Sequence, residues 1–180
     1  MKKTIITILL ALVSLASCSS DPQWADEEAH EKTEQLRKQY TPIIAGTWHV
    51  EYIKEKGRFF ERLTFSADGT FTGMRKWQTR KLVTIDDKEQ YTDWEDVELS
   101  GTFKGTWQLR YWSPEGNSGE KRNCLQLTAT YDDAERDYMA YSCALTFAYA
   151  DATTLRIQGY YVKAPDGWIN YQRGPSEPSF

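Results

Sequence analysis

The chain has 180 residues, and the side chains that most metal and catalytic sites use are scarce in it. Its two histidines, His30 and His49, and its three cysteines show no spacing typical of a metal site. No Gly-x-Ser-x-Gly motif, His-Glu-x-x-His motif or glycine-rich phosphate loop occurs. Acidic residues are plentiful, and we interpret their densest group as a solvated strand face rather than a catalytic pair: Asp93, Glu95, Asp96 and Glu98. The sequence therefore predicts a protein that is not an enzyme and holds no cofactor or metal.

Positive charge and long apolar runs are also limited. The 22 lysines and arginines are outnumbered by 26 aspartates and glutamates, and no basic cluster occurs, so nucleic acid is not an expected partner. A mean hydropathy of −0.66 excludes a protein with several membrane spans. Aromatic residues, by contrast, are abundant: seven Trp, eleven Tyr and seven Phe occur in a chain long enough for one domain. Because aromatic side chains favour strands, this composition indicates a β fold.

The N-terminal segment has the features of an export signal. Two lysines precede an apolar run, Ile5–Val13, that is too short for a permanent membrane span, so residues 1–17 are predicted to be a secretory signal peptide. Leu15-Ala16-Ser17-Cys18 then resembles the lipobox of bacterial lipoproteins. The resemblance implies cleavage before Cys18, a diacylglycerol thioether on its sulfur and acylation of its new amine. Several acyl chains hold a protein at a bilayer far more stably than one.

The same resemblance bears on where the protein is located. It leaves residues 18–180 as the mature chain. By resemblance to lipoprotein sorting in Gram-negative bacteria, Ser19 after the cysteine implies the outer membrane. The acidic residues Asp26, Glu27 and Glu28 are similar to surface-export signals, so a periplasmic and a cell-surface location both stay open. In either location the lipid makes the membrane the first expected partner.

Residues 18–42 are predicted to form a polar tether that is partly helical. The segment is dense in Glu, Lys and Gln and contains no glycine, which favours a helix. A solvated stalk and a helix packed on one end of the following domain are the two alternatives. We favour the stalk for residues 21–34. Only Leu36 and Tyr40 are then expected to dock, with Pro42 ending the helix.

From residue 43 to residue 174 the pattern changes to strands. Apolar and polar residues alternate, as in residues 48–52, which is typical of half-buried strands. Residues 66–69 (Ser-Ala-Asp-Gly) predict a tight turn between two of them. Eight or nine short strands with no long helix among them predict an all-β fold. We expect an antiparallel up-and-down β-barrel, with a sandwich as the alternative, followed by a C-terminal tail of residues 175–180.

Short motifs in this region resemble those of lipocalins. Gly46-Thr47-Trp48 opens the first strand and Arg173 closes the last, which is similar to the lipocalin Gly-x-Trp motif whose tryptophan is covered by an arginine. Residues 63–71 (LTFSADGTF) resemble a hairpin of the small lipocalin-like, calycin-type domains of bacterial lipoproteins, and residues 151–155 (DATTL) resemble one of their strand starts. The resemblance covers about residues 44–174. It implies an up-and-down barrel in which the tryptophan and arginine are structural, and in most members no known activity.

One charged side chain is predicted to face the barrel interior. Arg75 lies at even spacing between Phe71 and Trp77, so on a regular strand it shares their inward face. A buried guanidinium needs an anion. The two candidates are an internal carboxylate, such as Glu95, and the carboxylate of a bound ligand. We favour the internal partner because buried charges are normally paired within the protein.

Cys124 and Cys143 would meet an oxidising compartment after export, so a disulfide between them is one alternative. Strand parity argues against it. Leu125 faces inward and turns Cys124 outward, whereas Cys143 shares the inward face of Leu145 and Phe147, on a one-faced strand that continues to Tyr149. A disulfide needs both Cβ atoms on one side of the sheet. We therefore favour a buried Cys143 and a partly exposed Cys124 without a bond.

Two functions from different classes fit these expectations. The first is a lipid-anchored binding module whose barrel holds a small, partly apolar ligand in a cavity lined by Trp77, Trp107, Tyr111, Phe147 and Arg75. The second is a structural or interaction subunit of an outer-membrane protein assembly, with a filled barrel and contacts through outer aromatic residues: Trp94, Trp112 and Tyr160. An open cavity of about 300 Å³ or more would favour the first function, and a packed interior the second.

Overall fold

A computed structural model describes the protein over residues 26–113, 119–133, 135–136, 139–158 and 167–180. These residues form one α-helix and eleven β-strands. The helix is α1 (Glu27–Ile44). The strands are β1 (Gly46–Lys54), β2 (Gly57–Phe65), β3 (Thr70–Thr79), β4 (Leu82–Ile85), β5 (Lys88–Tyr91), β6 (Glu95–Asp96), β7 (Gly101–Trp112), β8 (Arg122–Tyr131), β9 (Met139–Ala150), β10 (Thr154–Gln158) and β11 (Trp168–Arg173). The predicted signal peptide, Cys18 and Tyr160 lie outside the described residues.

Eight of these strands close into a barrel. Their order around it is β2-β1-β11-β10-β9-β8-β7-β3, and β3 pairs back with β2. All pairings are antiparallel, β6 adds a short strand beside β3, and β4 pairs with β5 in a separate hairpin. The predicted antiparallel up-and-down barrel of eight or nine strands is therefore confirmed. Closure leaves the barrel strands without the open edges that would otherwise pair with other chains.

The charged segment between β3 and β7 is an excursion from the barrel. It spans residues 80–100 and contains β4, β5 and β6. Arg80 ties its start to the turn between β1 and β2, where its backbone N–H donates to the carbonyl of Lys56 (3.1 Å) and its Nε donates to that of Glu55 (2.7 Å). Since an isolated two-stranded hairpin is marginally stable in water, this tie supports β4 and β5.

Two glycines allow close packing in the barrel wall, one against an aromatic ring and one against the neighbouring strand. A Cβ at Gly73 would lie 2.1 Å from the ring of Phe103, and a Cβ at Gly105 would lie 2.0 Å from the carbonyl oxygen of Thr128. Both distances are too short for any side chain without a shift of the neighbours. Gly73 therefore leaves room for the ring of Phe103, whose centroid lies 5.3 Å from that of Tyr141, and Gly105 lets β7 approach the backbone of β8 closely.

The helix α1 lies against the barrel, so the predicted solvated stalk is wrong for its described part. The helix starts immediately after its N-cap, Asp26. The Thr33 hydroxyl accepts a hydrogen bond from the backbone N–H of Tyr111 (3.0 Å), and Arg37 Nε donates to the carbonyl of Leu109 (3.2 Å). These contacts involve the end of β7, a partner that the pattern of the helix alone does not reveal. The alternative of a packed helix is the one observed.

The C-terminal half of α1 closes one end of the barrel, which we call the helix end. Leu36 and Ile44 are buried, and Tyr40 contacts Phe147 edge to face with 4.9 Å between ring centroids. Pro42 lies inside the last turn and does not end the helix, contrary to the prediction. A proline costs a helix one hydrogen bond. The burial of Ile44, which lies two residues after Pro42, offsets that loss.

The predicted C-terminal tail is packed on the outside of the barrel. The Ser179 backbone N–H and hydroxyl donate to the two carboxylate oxygens of Glu51 at 2.7 and 2.9 Å. Phe60, the ladder partner of Glu51, points outward and is nevertheless completely buried. Residues 174–180 therefore cover this part of the outer face.

A bulge between β9 and β10 changes which residues face inward. Phe147 pairs with Ile157, but Tyr149 and Ala150 pair with Arg156 and Leu155, so one extra residue lies in β9. Ala150 is buried and Tyr149 is exposed. The prediction that Tyr149 continues the inward face is wrong because a bulge reverses strand parity beyond it.

Candidate functional site: the barrel interior and its mouth

A buried ion pair lies in the barrel interior. Glu61 on β2 and Arg75 on β3 are direct ladder partners and both point inward. The Arg75 Nε and Nη2 lie 2.8 and 2.7 Å from Oε2 of Glu61, and each residue is 1% exposed. Arg75 is thus inward-facing, and its anion is a carboxylate of the protein.

Two tyrosines complete the hydrogen bonding of this carboxylate. Tyr171 on β11 donates to Oε1 of Glu61 at 2.6 Å, and Tyr141 on β9 donates to Oε2. The Arg75 guanidinium also lies 4.7 Å from the ring centroid of Tyr141. Four strands are therefore braced through one buried carboxylate. We call Glu61, Arg75, Tyr141 and Tyr171 the internal network.

The electrostatics of the internal network favour the ion pair and neutral phenols. Burial alone would lower the pKa of Arg75, but the interactions with Glu61 and Tyr141 together outweigh burial, so the pKa is raised. Burial raises the pKa of both Tyr141 and Tyr171 well above the ordinary tyrosine value, and the negative charge of Glu61 raises it further. Both phenols therefore remain hydrogen-bond donors to the carboxylate at neutral pH.

The predicted partner of Arg75 was the wrong carboxylate. Glu95 lies in β6, is exposed and pairs in the ladder with Thr79. Glu61 shares the parity of Leu63 and Phe65, both buried, so alternation along β2 could have identified it as an inward acid. The short β6 carries no such alternation, because only its two residues pair with the barrel.

The five residues predicted to line a ligand cavity do not come together. Trp107 is buried and donates its indole N–H to the carbonyl of Ser66 (2.9 Å), close to the helix end. Phe147 packs under α1, and Tyr111 lies there too, with Lys32 Nζ 4.5 Å from its ring centroid. Trp77 and Arg75 remain as neighbours on the inward face of β3. The residues predicted to line one cavity are thus divided between the packed core near the helix end and the opposite end of the barrel.

The helix end is closed by the tryptophan and arginine singled out in the sequence. Trp48 is fully buried and donates its indole N–H to the carbonyl of Ile44 (2.7 Å). The Arg173 guanidinium lies 4.9 Å from the indole centroid and donates to the carbonyls of Ile43 (2.7 Å) and Ala45 (2.9 Å). The ion thus joins the last strand, the first strand and the end of α1.

Gly46 allows this arrangement. Its φ is +136°, and a Cβ there would lie 2.9 Å from Arg173 Nη2. A side chain would be strained by the backbone conformation and would displace the guanidinium.

The end opposite to α1, which we call the mouth, is less tightly packed. Tyr52, Trp77 and Cys143 face the core but stay half-buried. Burial, followed by the charge of Glu61, raises the pKa of the Cys143 thiol to about 11. The carbonyl of Leu99, at the end of the excursion, accepts from the Tyr131 hydroxyl at 2.7 Å. The internal network therefore forms the floor of the mouth.

The two cysteines do not form a disulfide with each other. Cys124 faces outward between Arg110 and Thr146 in the ladder, and Cys143 faces inward beside Leu127. The predicted exposures are reversed: Cys124 is completely buried, with its thiol donating to the carbonyl of Trp112 at 3.4 Å, and Cys143 is half-buried. Parity correctly separates the two side chains, but it does not tell what covers each face.

Within the described ranges, no group of three or more histidine, cysteine or acidic side chains could hold a metal ion. Over the same part of the chain, α1 lacks the length of apolar sequence that would allow it to cross a membrane. Comparison of the chain with protein-family models, with curated proteins and with solved structures finds no match.

Proposed function

We propose that the protein is a lipid-anchored outer-membrane lipoprotein without catalytic activity, whose lipocalin-like barrel serves as an interaction module. The single observation that carries this proposal is the internal network. Arg75, the one charge that a carboxylate ligand would have used, is neutralised by Glu61 inside the barrel. The inward side chains on the helix side of this network are buried, from Trp48 to Leu127. A filled interior favours the interaction subunit over the carrier.

The anchor is supported by the lipobox-like residues 15–18 and by the polar tether that follows them. Replacing Cys18 with Ser is expected to abolish lipidation, so that the protein leaves the membrane fraction and the mass of the mature chain loses its acyl groups. Ser17→Ala leaves the acceptor sulfur and a small residue before it in place and serves as a control. Membrane association that is unchanged in Cys18→Ser would contradict the anchor.

The contact surface is supported by exposed apolar residues beside the mouth. Ile53, Leu82 and Ile85 are all more than a third exposed, and two of them lie on the β4–β5 hairpin. Large apolar side chains on a projecting hairpin are typical of partner contacts. A photo-crosslinking residue at position 85 should capture one defined envelope protein, whereas the same residue at exposed Thr106 should not. Absence of a product from position 85 would contradict the interaction module.

A second function, a small-ligand binder at the mouth, is favoured by one observation. Tyr52, Trp77 and Cys143 point toward the core yet remain partly exposed, as the lining of a shallow site would. Titration with fatty acids, bile acids and haem, monitored by tryptophan fluorescence, separates the two functions. The interaction module predicts no saturable quenching. Saturable quenching that disappears in Trp77→Phe but persists in the control Trp107→Phe would instead establish the binder.

A further inference from the structure

Residues 174–180 run across the outer face of β1, β2 and β3. The segment leaves the barrel wall at Gly174, whose backbone N–H donates to the carbonyl of Thr47 on β1 (2.8 Å). Arg62 on β2 contacts the middle of the segment, where its Nη1 donates to the carbonyl of Ser176 (3.0 Å). Residues after Gly174 lie outside any strand. Side chains of the barrel wall therefore hold this part of the segment in place.

The last two residues of the segment meet one row of ladder partners: Glu51, Phe60 and Lys76. The Glu51 carboxylate accepts both the backbone N–H and the hydroxyl of Ser179, at 2.7 and 2.9 Å. Lys76 Nζ donates to the main-chain oxygen of Phe180 and lies 5.1 Å from its ring centroid. Phe60 lies between these two charged side chains and is completely buried. The row thus offers an acceptor for a hydroxyl residue, a cation for an aromatic ring and an apolar floor.

A second cation beside this row is held in position by the domain itself. The Arg58 guanidinium lies 4.6 Å from the ring centroid of Phe180. Its Nε also donates to Oε1 of Gln78 (2.7 Å), and the ring centroid of Trp94 lies 4.4 Å from it. These two contacts do not involve the segment, so the guanidinium does not depend on Phe180 for its position. Such pre-organisation lowers the entropic cost of binding an aromatic ring.

The contacts of the segment are of a kind that a second ligand can replace. Glu177 pairs with Arg62, but its side chain is 73% exposed, and exposed ion pairs contribute little to stability. Gly174 has a φ of +117° and precedes Pro175, so the chain turns sharply where it leaves β11. Departure of residues 175–180 would break no strand ladder, because none of these residues is in a strand. It would uncover the apolar floor.

We propose that the outer face of β1, β2 and β3 is a peptide-binding groove, that residues 174–180 are its intramolecular ligand, and that an extended segment of a partner protein replaces them. The groove fits a hydroxyl residue followed directly by an aromatic residue, with an acidic residue shortly before them, as in residues 177–180 (Glu-Pro-Ser-Phe). The attached segment competes at a high local concentration, so it sets a threshold for the partner. The groove is separate from the contact surface on the β4–β5 hairpin and does not depend on it.

Fluorescence anisotropy of a labelled synthetic peptide with the sequence of residues 174–180 tests the groove. The receptor is the mature chain with Cys18→Ser, in which Ser179→Ala and Phe180→Ala loosen its own segment. We expect saturable binding, about tenfold or more tighter than to the chain with an intact segment, because the attached ligand competes at an effective concentration of about 1 mM. A peptide with its last two residues exchanged should bind about tenfold more weakly. Absence of saturable binding to the loosened chain would overturn the groove.

One substitution in the groove and a matched control locate the binding. In the loosened chain, Lys76→Gln should weaken peptide binding about three- to thirtyfold, because a cation beside the aromatic ring is lost. Lys88→Gln removes the same charge at the turn of the β4–β5 hairpin and should leave the affinity unchanged. Equal weakening by both substitutions would overturn the assigned site.

A milder variant guards against unfolding of the loosened chain, which circular dichroism would detect. Ser179→Ala alone keeps the phenylalanine ring and removes only the hydroxyl contact with Glu51. It should bind the peptide more tightly than the chain with an intact segment does. Equal affinities of these two proteins, with Ser179→Ala folded, would overturn the competition between segment and peptide.

Sedimentation analysis distinguishes a partner segment from a second copy of this chain. The chain with an intact segment should be monomeric, since its own residues fill the groove. A dimer that disappears in the loosened chain would overturn the intramolecular ligand, because the segments would then be exchanged between two copies. Crosslinking from position 85 reports on the hairpin alone. Failure of the groove and failure of the proposed hairpin contact are therefore recognised separately.

Discussion

The helix end and the mouth of the barrel are built by different means. At the helix end, apolar rings and α1 close the interior, and the Arg173 guanidinium covers Trp48 and bonds to backbone carbonyls. At the mouth, the interior ends in a buried ion pair, above which aromatic side chains are only half-buried. The comparison teaches that one end is designed for closure. The mouth combines a buried ion pair as its floor with exposed, charged side chains around it. Substitutions among these exposed side chains should not open the core.

The largest effect is expected from leaving one charge of the internal network without its partner. Glu61→Ala should lower the free energy of unfolding by about 3–5 kcal/mol, because Arg75 would remain buried as an uncompensated ion. Urea denaturation measures this loss. The control is the double variant Glu61→Leu with Arg75→Met, which replaces the pair by apolar groups and should be close to neutral. A double variant as unstable as the single one would mean that the charges themselves maintain the floor.

The helix end should respond almost as strongly to the loss of its central ring. Trp48→Ala should cost about 3–5 kcal/mol, since a fully buried indole leaves a cavity that α1 and the strands only partly fill. Thermal unfolding followed by circular dichroism provides the measurement. Trp112→Ala, at an exposed site on the same end, is the matched control and should change the stability little. Unchanged stability of Trp48→Ala would show that the indole does not hold the helix end closed.

The mouth should lose stability in alkali through Cys143. Its thiol pKa is raised from 9.0 to about 11 in the folded protein, so above pH 9 the unfolded chain releases this proton more readily. The contribution is fully present below pH 9 and is lost as the pH rises to 11, by about 2–3 kcal/mol in total. Cys143→Ala removes this component. Stability profiles that remain parallel between pH 9 and 11 would show that the thiol is not shielded from water.

The smallest loss of stability is expected from replacing Arg173, which covers the indole of Trp48. Arg173→Gln should cost about 0.5–2 kcal/mol, because the cation–π contact with Trp48 is lost while the amide still donates hydrogen bonds. Arg173→Lys keeps the charge and should recover part of the loss. Chemical denaturation of the three proteins orders them. If Arg173→Gln proves as damaging as Trp48→Ala, the arginine contributes more to closure than its partly exposed position suggests.

Much of the barrel was predictable because its signals are local. The turn at residues 66–69 formed as expected, with the Asp68 carboxylate accepting the N–H of Thr70 (2.9 Å) and Gly69 at φ +87°. Alternation placed Arg75 in the interior. It did not identify Glu61 as the partner, although the same alternation along β2 contains that signal. The orientation of Tyr149 was predicted wrongly because no feature of the sequence of residues 139–150 indicates the extra residue of the bulge.

The amino-acid sequence by itself determined the faces of the strands, the turns between them and hence an antiparallel barrel, because each of these depends on neighbours a few residues apart. Only the tertiary structure decided which inward side chains meet. Parity says that a residue points inward, but the tilt and closure of the barrel bring Glu61, Arg75, Tyr141 and Tyr171 together from four strands. The docking of α1 and the burial of Cys124 likewise depend on surfaces contributed by distant segments. Such contacts are a property of the closed fold, since they exist only when widely separated parts of the chain share one space.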